Sequence, residues 1–117
     1  MNIIKRNGEE QLFDEEKIKV AIQSANKDCT KLLNDLQIDL IVQRVKLTCE
    51  RYSKSFTVED VQNLVEEGIM AQGAYEVAKK YITYRYKRKL ERDKYNELIS
   101  VVKEKLRANN VQNQMLM

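Results

Sequence analysis

Residues 3–18 read IIKRNGEEQLFDEEKI, and this stretch decides how the fold begins. Asn7-Gly8 predicts a β-hairpin with a two-residue loop, because a type I′ turn needs positive φ at both central positions. The flanks, residues 2–6 and 10–13, are short and partly alternating, as strands are. Two strands alone are marginally stable in water, so we expect the hairpin to lie on another element.

Two segments with the apolar spacing of amphipathic helices follow. Asp14 is a favourable N-cap, and the helix dipole favours the carboxylates of Glu15 and Glu16 in the first turn. These features predict a first helix over about 14–27. After a polar link, a second helix is predicted to run to about Tyr52. Its expected buried stripe consists of Ile38, Ile41, Val45, Cys49 and Tyr52.

Two further helices complete the predicted fold. Thr57 is expected to cap the third, and Gly73 is a candidate stop before a fourth that begins near Tyr75. Beyond Lys94 the apolar pattern either prolongs that helix or starts a fifth element. Residues 109–117 have little helical pattern and are expected to fray. The fold class is therefore mainly α, a short hairpin with at least four helices packed as a bundle.

Length and composition favour one globular domain. The chain has 117 residues, of which 43% are hydrophobic and 33% charged. No apolar run approaches the roughly 20 residues of a membrane span, and the N-terminus lacks the apolar stretch of a secretory signal. Both observations favour the cytoplasm.

Charge is distributed unevenly. The net charge is +3, but residues 79–94 hold eight bases and two acids, a local net charge of +6. A basic segment on an otherwise mildly acidic chain indicates a partner with negative charge, either nucleotide phosphate or nucleic acid. The alternative is a solvated helix face.

Several catalytic patterns are absent from the sequence. It has no histidine, no GxxxxGK[ST] phosphate loop and no GxGxxG fingerprint. Cys29 and Cys49 do not form a CxxC pair, so we expect small residues near the core rather than zinc ligands. Catalysis by this chain alone is therefore not expected.

Binding chemistry is present in two places. Lys5 and Arg6 lie beside the predicted turn, where a point charge and a planar fork can hold phosphate oxygens. Tyr81, Arg85 and Arg88 share a helix face that can stack a base and hold a phosphate. The alternative is that Tyr81 is half-buried core and the arginines are solvated.

Four motifs, read in order, resemble those of the ATP-cone family. Residues 3–8 resemble its V-x-K-R-D-G hairpin, with Asn7 in place of the usual Asp, and residues 13–18 its F-D-x-x-K-I motif. Residues 57–66 resemble the segment that opens the third helix. Residues 75–85 resemble the closing Y-x-V-A-x-x-Y-I-x-Y-R. Together the motifs cover residues 3–92.

The resemblance implies a small β-hairpin over a four-helix bundle, with a helical extension. ATP-cones bind ATP or dATP at the overall-activity site of ribonucleotide reductases, where ATP permits turnover and dATP suppresses it, usually through subunit assembly. Residues 1–92 would form this domain. Residues 95–114 resemble the connector to the catalytic domain of anaerobic (class III) reductases, whereas residues 115–117 depart from its pattern. Residues 93–117 would form this connector. The implied partners are adenine nucleotides, that catalytic domain and other ATP-cones.

The resemblance also implies particular nucleotide contacts. These are Ile3, Lys5, Arg6, Asp14, Lys17, Ile18, Val58, Val61, Gln62, Tyr81, Arg85 and Arg88. Residues of the hairpin and Arg88 would hold the phosphates. Residues at the start of the first helix would contact the base and ribose, and residues of the third helix would line the opposite wall. Gln62 stands where relatives often have histidine. A last helix with Tyr81 and Arg85 favours two nucleotides. Mg²⁺ is expected with the triphosphate, without a protein ligand assigned.

Three alternatives remain at this point. A transcriptional repressor of reductase genes also carries an ATP-cone, but behind a zinc ribbon with four cysteine ligands, which this sequence lacks. A nucleic-acid-binding module would use the basic residues 79–94 and would bind polyanions without preferring ATP. A free-standing kinase is disfavoured by the missing phosphate loop.

Overall fold

A computed structural model of the chain describes residues 1–52 and 54–116, with side chains as far as residue 108. Its elements are β1 (Asn2–Ile4), β2 (Glu10–Leu12), α1 (Glu15–Asn26), α2 (Asp35–Arg51), α3 (Val58–Ala71) and α4 (Tyr75–Leu116). A mainly helical fold with an N-terminal hairpin is thus confirmed. That the hairpin caps a four-helix bundle stays a prediction. The chain forms two compact units, Met1–Thr83 and the part after Thr83, described separately.

The hairpin turn differs from the expected type. β1 and β2 are antiparallel with Ile4 opposite Glu10, and the Gly8 N–H donates to the Lys5 carbonyl at 3.0 Å. Gly8 has φ 85°, whereas no described residue other than glycine has positive φ. The type I′ expectation for Asn7 is therefore wrong. The loop spans residues 6–8, and a loop of three residues needs only one left-handed position.

The outer edge of β1 is bound to the segment before α3. The Ile4 N–H donates to the Phe56 carbonyl at 2.9 Å, and Ile4 forms a parallel bridge with Thr57. The neighbouring side chain, Ile3, is only 7% exposed and belongs to the core. The hairpin therefore lies on another element, as a lone hairpin must.

The cap predicted for the first helix is present, and the second helix ends one residue before the predicted position. Asp14 Oδ1 accepts from the backbone N–H groups of Glu16 and Lys17, at 3.0 and 3.4 Å. α2 ends at Arg51, and Tyr52 is extended (φ −96°, ψ 136°) and 57% exposed. The expectation that Tyr52 continues the buried stripe of α2 is wrong. The helix ends before Tyr52, and the tyrosine side chain is exposed rather than packed in the core.

α3 and α4 are separated by a left-handed glycine. Gly73 has φ 73°, which confirms the predicted stop. α4 then runs without interruption to Leu116, so the pattern beyond Lys94 prolongs the fourth helix. α4 thus includes residues 109–116, for which fraying stays a prediction, and Met117 lies outside the described residues. After Gly73 the sequence contains neither glycine nor proline to end a helix.

The core lies in the first unit. Its largest fully buried side chains come from all four helices and are Ile22, Ile38, Ile41, Ile69, Val45, Val65 and Val77. α2 and α3 pack tightly at Gly68, where an added Cβ would stand 2.9 Å from Ile41 Cγ2. Cys29 and Cys49 are buried free thiols, as expected, and burial raises the pKa of Cys49. Within residues 1–52 and 54–116, no helix has the length and apolarity to span a membrane.

Candidate functional site

A cavity of about 160 Å³ lies in the first unit between the hairpin, α1, α3 and the first turns of α4. Eight of the twelve side chains predicted from the sequence line it, namely Ile3, Asp14, Lys17, Ile18, Val58, Val61, Gln62 and Tyr81. These residues come from four separate parts of the chain. The fold therefore brings most of the predicted contacts together.

Local sequence explains why these side chains share the cavity. Capping by Asp14 fixes the first turn of α1, which places Lys17 and Ile18 three and four residues further along. On α3, Val58, Val61 and Gln62 are spaced by three and four residues and lie on one face. Thr57 caps that helix, so one residue sets the position of this wall.

Gln62 supplies an unsatisfied polar group in an otherwise largely apolar cavity. Its Oε1 atom is buried and has no hydrogen-bond partner among the described residues. A buried acceptor without a donor destabilises a protein by about 1–3 kcal/mol. Such a group in a native structure calls for an explanation. A rotation of the Gln62 side chain that turned this oxygen into the cavity would let an N–H or O–H group of a ligand remove the penalty.

The N-terminus of α3 carries the main electrostatic feature near this wall. The Thr57 N–H donates to Asp60 Oδ2 at 3.0 Å, and the Asp60 N–H donates to Thr57 Oγ1 at 3.1 Å. The bond from the Thr57 backbone holds the pKa of Asp60 below its ordinary value. The carboxylate is therefore ionised while it stabilises the cap.

The two hairpin cations lie outside the cavity lining. Arg6 Nε is 2.9 Å from Glu59 Oε1, with side chains 39% and 47% exposed. This ion pair connects the hairpin loop to the first turn of α3. Lys5 is exposed. A phosphate role for Lys5 and Arg6 stays a prediction.

The predicted residues of α4 divide between the two units. Tyr81 is 7% exposed and lines the cavity. Arg85 and Arg88 belong to the second unit. There Arg88 Nη1 lies 3.2 Å from the hydroxyl of Tyr84 and donates to it, with the guanidinium 5.8 Å from the ring centroid. The nucleotide roles of Arg85 and Arg88 stay predictions.

Five of the residues that line the cavity were not predicted from the sequence. They are Gln11, Leu12, Phe13, Ala21 and Val65. Helical spacing offers a signal for two of them, since Ala21 follows Lys17 by four residues and Val65 follows Val61 by four. Gln11, Leu12 and Phe13 line the cavity because of the way β2 packs against the helices. The three-residue sequence of this strand does not predict that packing.

Hairpin, helices and cavity together define a small ligand-binding domain with a mostly apolar pocket and one buried acceptor. The chain belongs to the ATP-cone family, since the model of the ATP cone domain matches residues 1–90. Domains of this family bind ATP or dATP as allosteric effectors, and the ATP-cone serves as a regulatory domain in ribonucleotide reductases.

The relatives agree with this assignment. The chain is 31% identical to the ribonucleoside-diphosphate reductase subunit alpha of Chlamydia pneumoniae, over 86% of this chain and 11% of that protein. It is 30% identical to the same subunit of Chlamydia trachomatis, with equal coverage. It is 29% identical to the anaerobic ribonucleoside-triphosphate reductase of Haemophilus influenzae, over 94% of this chain and 16% of the relative. The chain thus spans less than a fifth of these curated relatives.

Proposed function

We propose that this chain is the regulatory domain of an anaerobic ribonucleotide reductase and senses the ratio of ATP to dATP. The observation that carries the proposal is the cavity, whose lining includes eight residues that the ATP-cone resemblance assigns to nucleotide contacts, among them Gln62 with its unsatisfied amide oxygen. Support for the anaerobic class comes from the resemblance of residues 95–114 to the connector of those enzymes. The alignment with the anaerobic relative covers 94% of the chain at 29% identity, against 86% at 31% identity for an alpha subunit.

The base of the nucleotide enters the cavity in this proposal. Apolar walls and the ring of Tyr81 cover its faces. The Gln62 side chain turns its amide oxygen, which is buried in the free chain, towards the base and accepts from the exocyclic amine of adenine. Guanine has a carbonyl oxygen at the corresponding ring position, which would leave the acceptor unpaired. Lys17, at the cavity rim, and the hairpin cations then hold the phosphates. Magnesium is carried by the phosphate oxygens.

Regulation follows from linkage. A nucleotide shifts subunit assembly or the docking of the catalytic domain only if it binds one state better than the other. ATP and dATP differ by a single hydroxyl, so the sensor distinguishes them by a hydrogen bond to the 2′-OH or by packing against the deoxy carbon. The domain itself performs no reductive chemistry.

Calorimetric titration tests the proposal directly. The chain is titrated with ATP, dATP and GTP in the presence of Mg²⁺ at two salt concentrations. Saturable binding of ATP and dATP, with GTP at least tenfold weaker, is the expected result. Equal, salt-sensitive binding of every polyanion would instead assign the basic residues 79–94 to nucleic acid. Absence of any binding would remove the sensor role.

A further inference from the structure

An ion pair joins the hairpin loop to the first turn of α3. Arg6 Nε lies 2.9 Å from Glu59 Oε1, and the two side chains are partly exposed, at 39% and 47%. Glu59 directly follows Val58, which lines the cavity, so the ion pair lies beside the wall that α3 contributes. The ATP-cone resemblance assigns Arg6 to phosphate and gives Glu59 no role.

One N–H group of Arg6 is already engaged in the nucleotide-free chain. The planar guanidinium holds carboxylates and phosphates through the same fork of N–H donors. A carboxylate at Nε therefore competes with phosphate for Arg6. The Glu59 carboxylate also places a negative charge close to any phosphate that Arg6 holds, and like charges repel. Both effects oppose the binding of a polyphosphate.

We propose that Glu59 limits the affinity of the domain for nucleoside triphosphates, because it holds Arg6 in the empty domain and releases it to the phosphates on binding. This transfer of Arg6 from Glu59 to phosphate is here called the arginine exchange. It rests on the proposed function, since it concerns the phosphate end of the same site. The cavity distinguishes bases, whereas the arginine exchange responds to the phosphate charge of the ligand.

The relative strengths of the two contacts favour the arginine exchange. A partly exposed ion pair shifts an equilibrium by about fivefold at most, because water and salt screen it. A hydrogen bond from a cation to a phosphate oxygen shifts it by about tenfold or more. Glu59 remains stabilised after Arg6 leaves, since the N-terminus of α3 favours a carboxylate in its first turn. Phosphate therefore displaces Glu59 from Arg6, and the competition lowers the affinity for ATP.

Glu59→Gln separates competition from a role in orienting Arg6. The glutamine amide oxygen still accepts from Arg6 Nε, so the orientation of the guanidinium is retained, while the negative charge is removed. Competition predicts that this variant binds ATP more tightly than wild type. If the ion pair instead oriented Arg6 for phosphate, the variant would bind ATP equally well or more weakly.

Calorimetric titration of the 117-residue chain with ATP and with adenosine, both in the presence of Mg²⁺, measures this difference. We expect Glu59→Gln to bind ATP about three- to fivefold more tightly, the size of an exposed ion pair, and to bind adenosine as wild type does. Glu67→Gln, at an exposed glutamate further along α3, is the matched control and leaves both affinities unchanged. Unchanged or weaker binding of ATP by Glu59→Gln, or an equal gain for adenosine, would overturn the proposal.

A double-mutant cycle determines whether the effect of Glu59 acts through Arg6. In the Arg6→Ala background, Glu59→Gln is expected to change the affinity for ATP by less than about twofold, the usual limit for uncoupled positions, because no guanidinium remains to be transferred. Urea unfolding of each variant verifies that the fold is intact. An equal gain with and without Arg6 would assign the effect to direct repulsion between Glu59 and phosphate and would contradict the arginine exchange.

Proton–nitrogen NMR of the Arg6 Nε–H group tests the arginine exchange separately from the sensor role. This resonance, identified by its absence from Arg6→Ala, is expected to shift on addition of ATP and also of inorganic tripolyphosphate, which has the charge but no base. A shift with tripolyphosphate but no preference for ATP over GTP would retain the arginine exchange and remove the sensor role. A preference for ATP over GTP, with an Arg6 resonance that responds to neither ligand, would retain the sensor role and exclude the arginine exchange.

Discussion

At the scale of single residues, Gln62 is expected to lower the stability of the free chain and to take part in binding the adenine base. We expect Gln62→Leu to stabilise the free chain by about 1 kcal/mol, because it removes a buried acceptor that has no partner among the described residues. The same change should weaken ATP binding about tenfold and bring the affinity for GTP closer to that for ATP. Thermal unfolding with and without nucleotide measures both effects.

The matched control for this change is Gln23→Leu, at an exposed glutamine of α1. This variant should change the free energy of unfolding by no more than about 0.5 kcal/mol and should leave the affinity for nucleotide unchanged. A Gln62→Leu chain that loses stability while keeping its affinity for ATP would show that Gln62 Oε1 serves the fold rather than the ligand.

Lys5 and Arg6 are the residues on which the phosphate assignment depends. Lys5→Ala and Arg6→Ala should each weaken ATP binding by about 1.5–3 kcal/mol, the size of a hydrogen bond to a charged group. Arg6→Ala also breaks the ion pair with Glu59, so its unfolding should be measured beside its calorimetric titration. Lys27→Ala, at the C-cap of α1, is the control. Unchanged affinity in both hairpin variants would remove the hairpin from the site.

At the scale of elements, Thr57 joins the cap of α3 to the hairpin. Thr57→Ala should destabilise the chain by about 1 kcal/mol, as the loss of an N-cap does, and should speed hydrogen exchange of the Ile4 amide, which donates to the adjacent Phe56 carbonyl. Asn34→Ala removes the equivalent cap of α2 and is the control. Equal exchange of the Ile4 amide in both variants would contradict this connection.

The same cap predicts a dependence on pH. Because the fold lowers the pKa of Asp60, its carboxylate stabilises the chain above its unfolded pKa of about 4, and this contribution disappears as pH falls through the folded pKa. Asp60→Asn should therefore lower the free energy of unfolding at pH 7, and the difference from wild type should shrink towards pH 3. Urea unfolding at both pH values measures it. A difference independent of pH would exclude this role.

The elements that the sequence predicted are those determined by local chemistry. Asp14, Thr57 and Gly73 act within their own turn, and all three occupy the positions expected of them. Tyr52 was misplaced because periodicity alone cannot tell where a helix ends. The ion pair of Arg6 joins residues far apart in sequence, which no local pattern contains. Eight cavity residues came from motif resemblance, and the unsatisfied acceptor of Gln62 required coordinates.

At the scale of the whole molecule, the core and the cavity belong to the first unit. Among the residues whose side chains the structure describes, the buried core residues all lie at or before Tyr81, and so do the residues that line the cavity. The part of the chain after Thr83 is described as a helix whose larger apolar side chains are mostly exposed. Stability and adenine recognition should therefore depend on the first unit alone.

A fragment of residues 1–83 tests this division. Since none of residues 84–108 belongs to the buried core, the fragment should unfold cooperatively with a free energy of unfolding within about 0.5 kcal/mol of that of the full chain. It should also retain its preference for ATP over GTP, because Gln62 and Tyr81 remain. Removing Arg85 and Arg88 should lower the affinity for every nucleoside triphosphate alike and reduce its dependence on salt, as the loss of phosphate contacts would. Urea unfolding and calorimetry measure the two effects. A fragment that fails to fold would show that the second unit is needed for the first, whereas full affinity would exclude both arginines from the site.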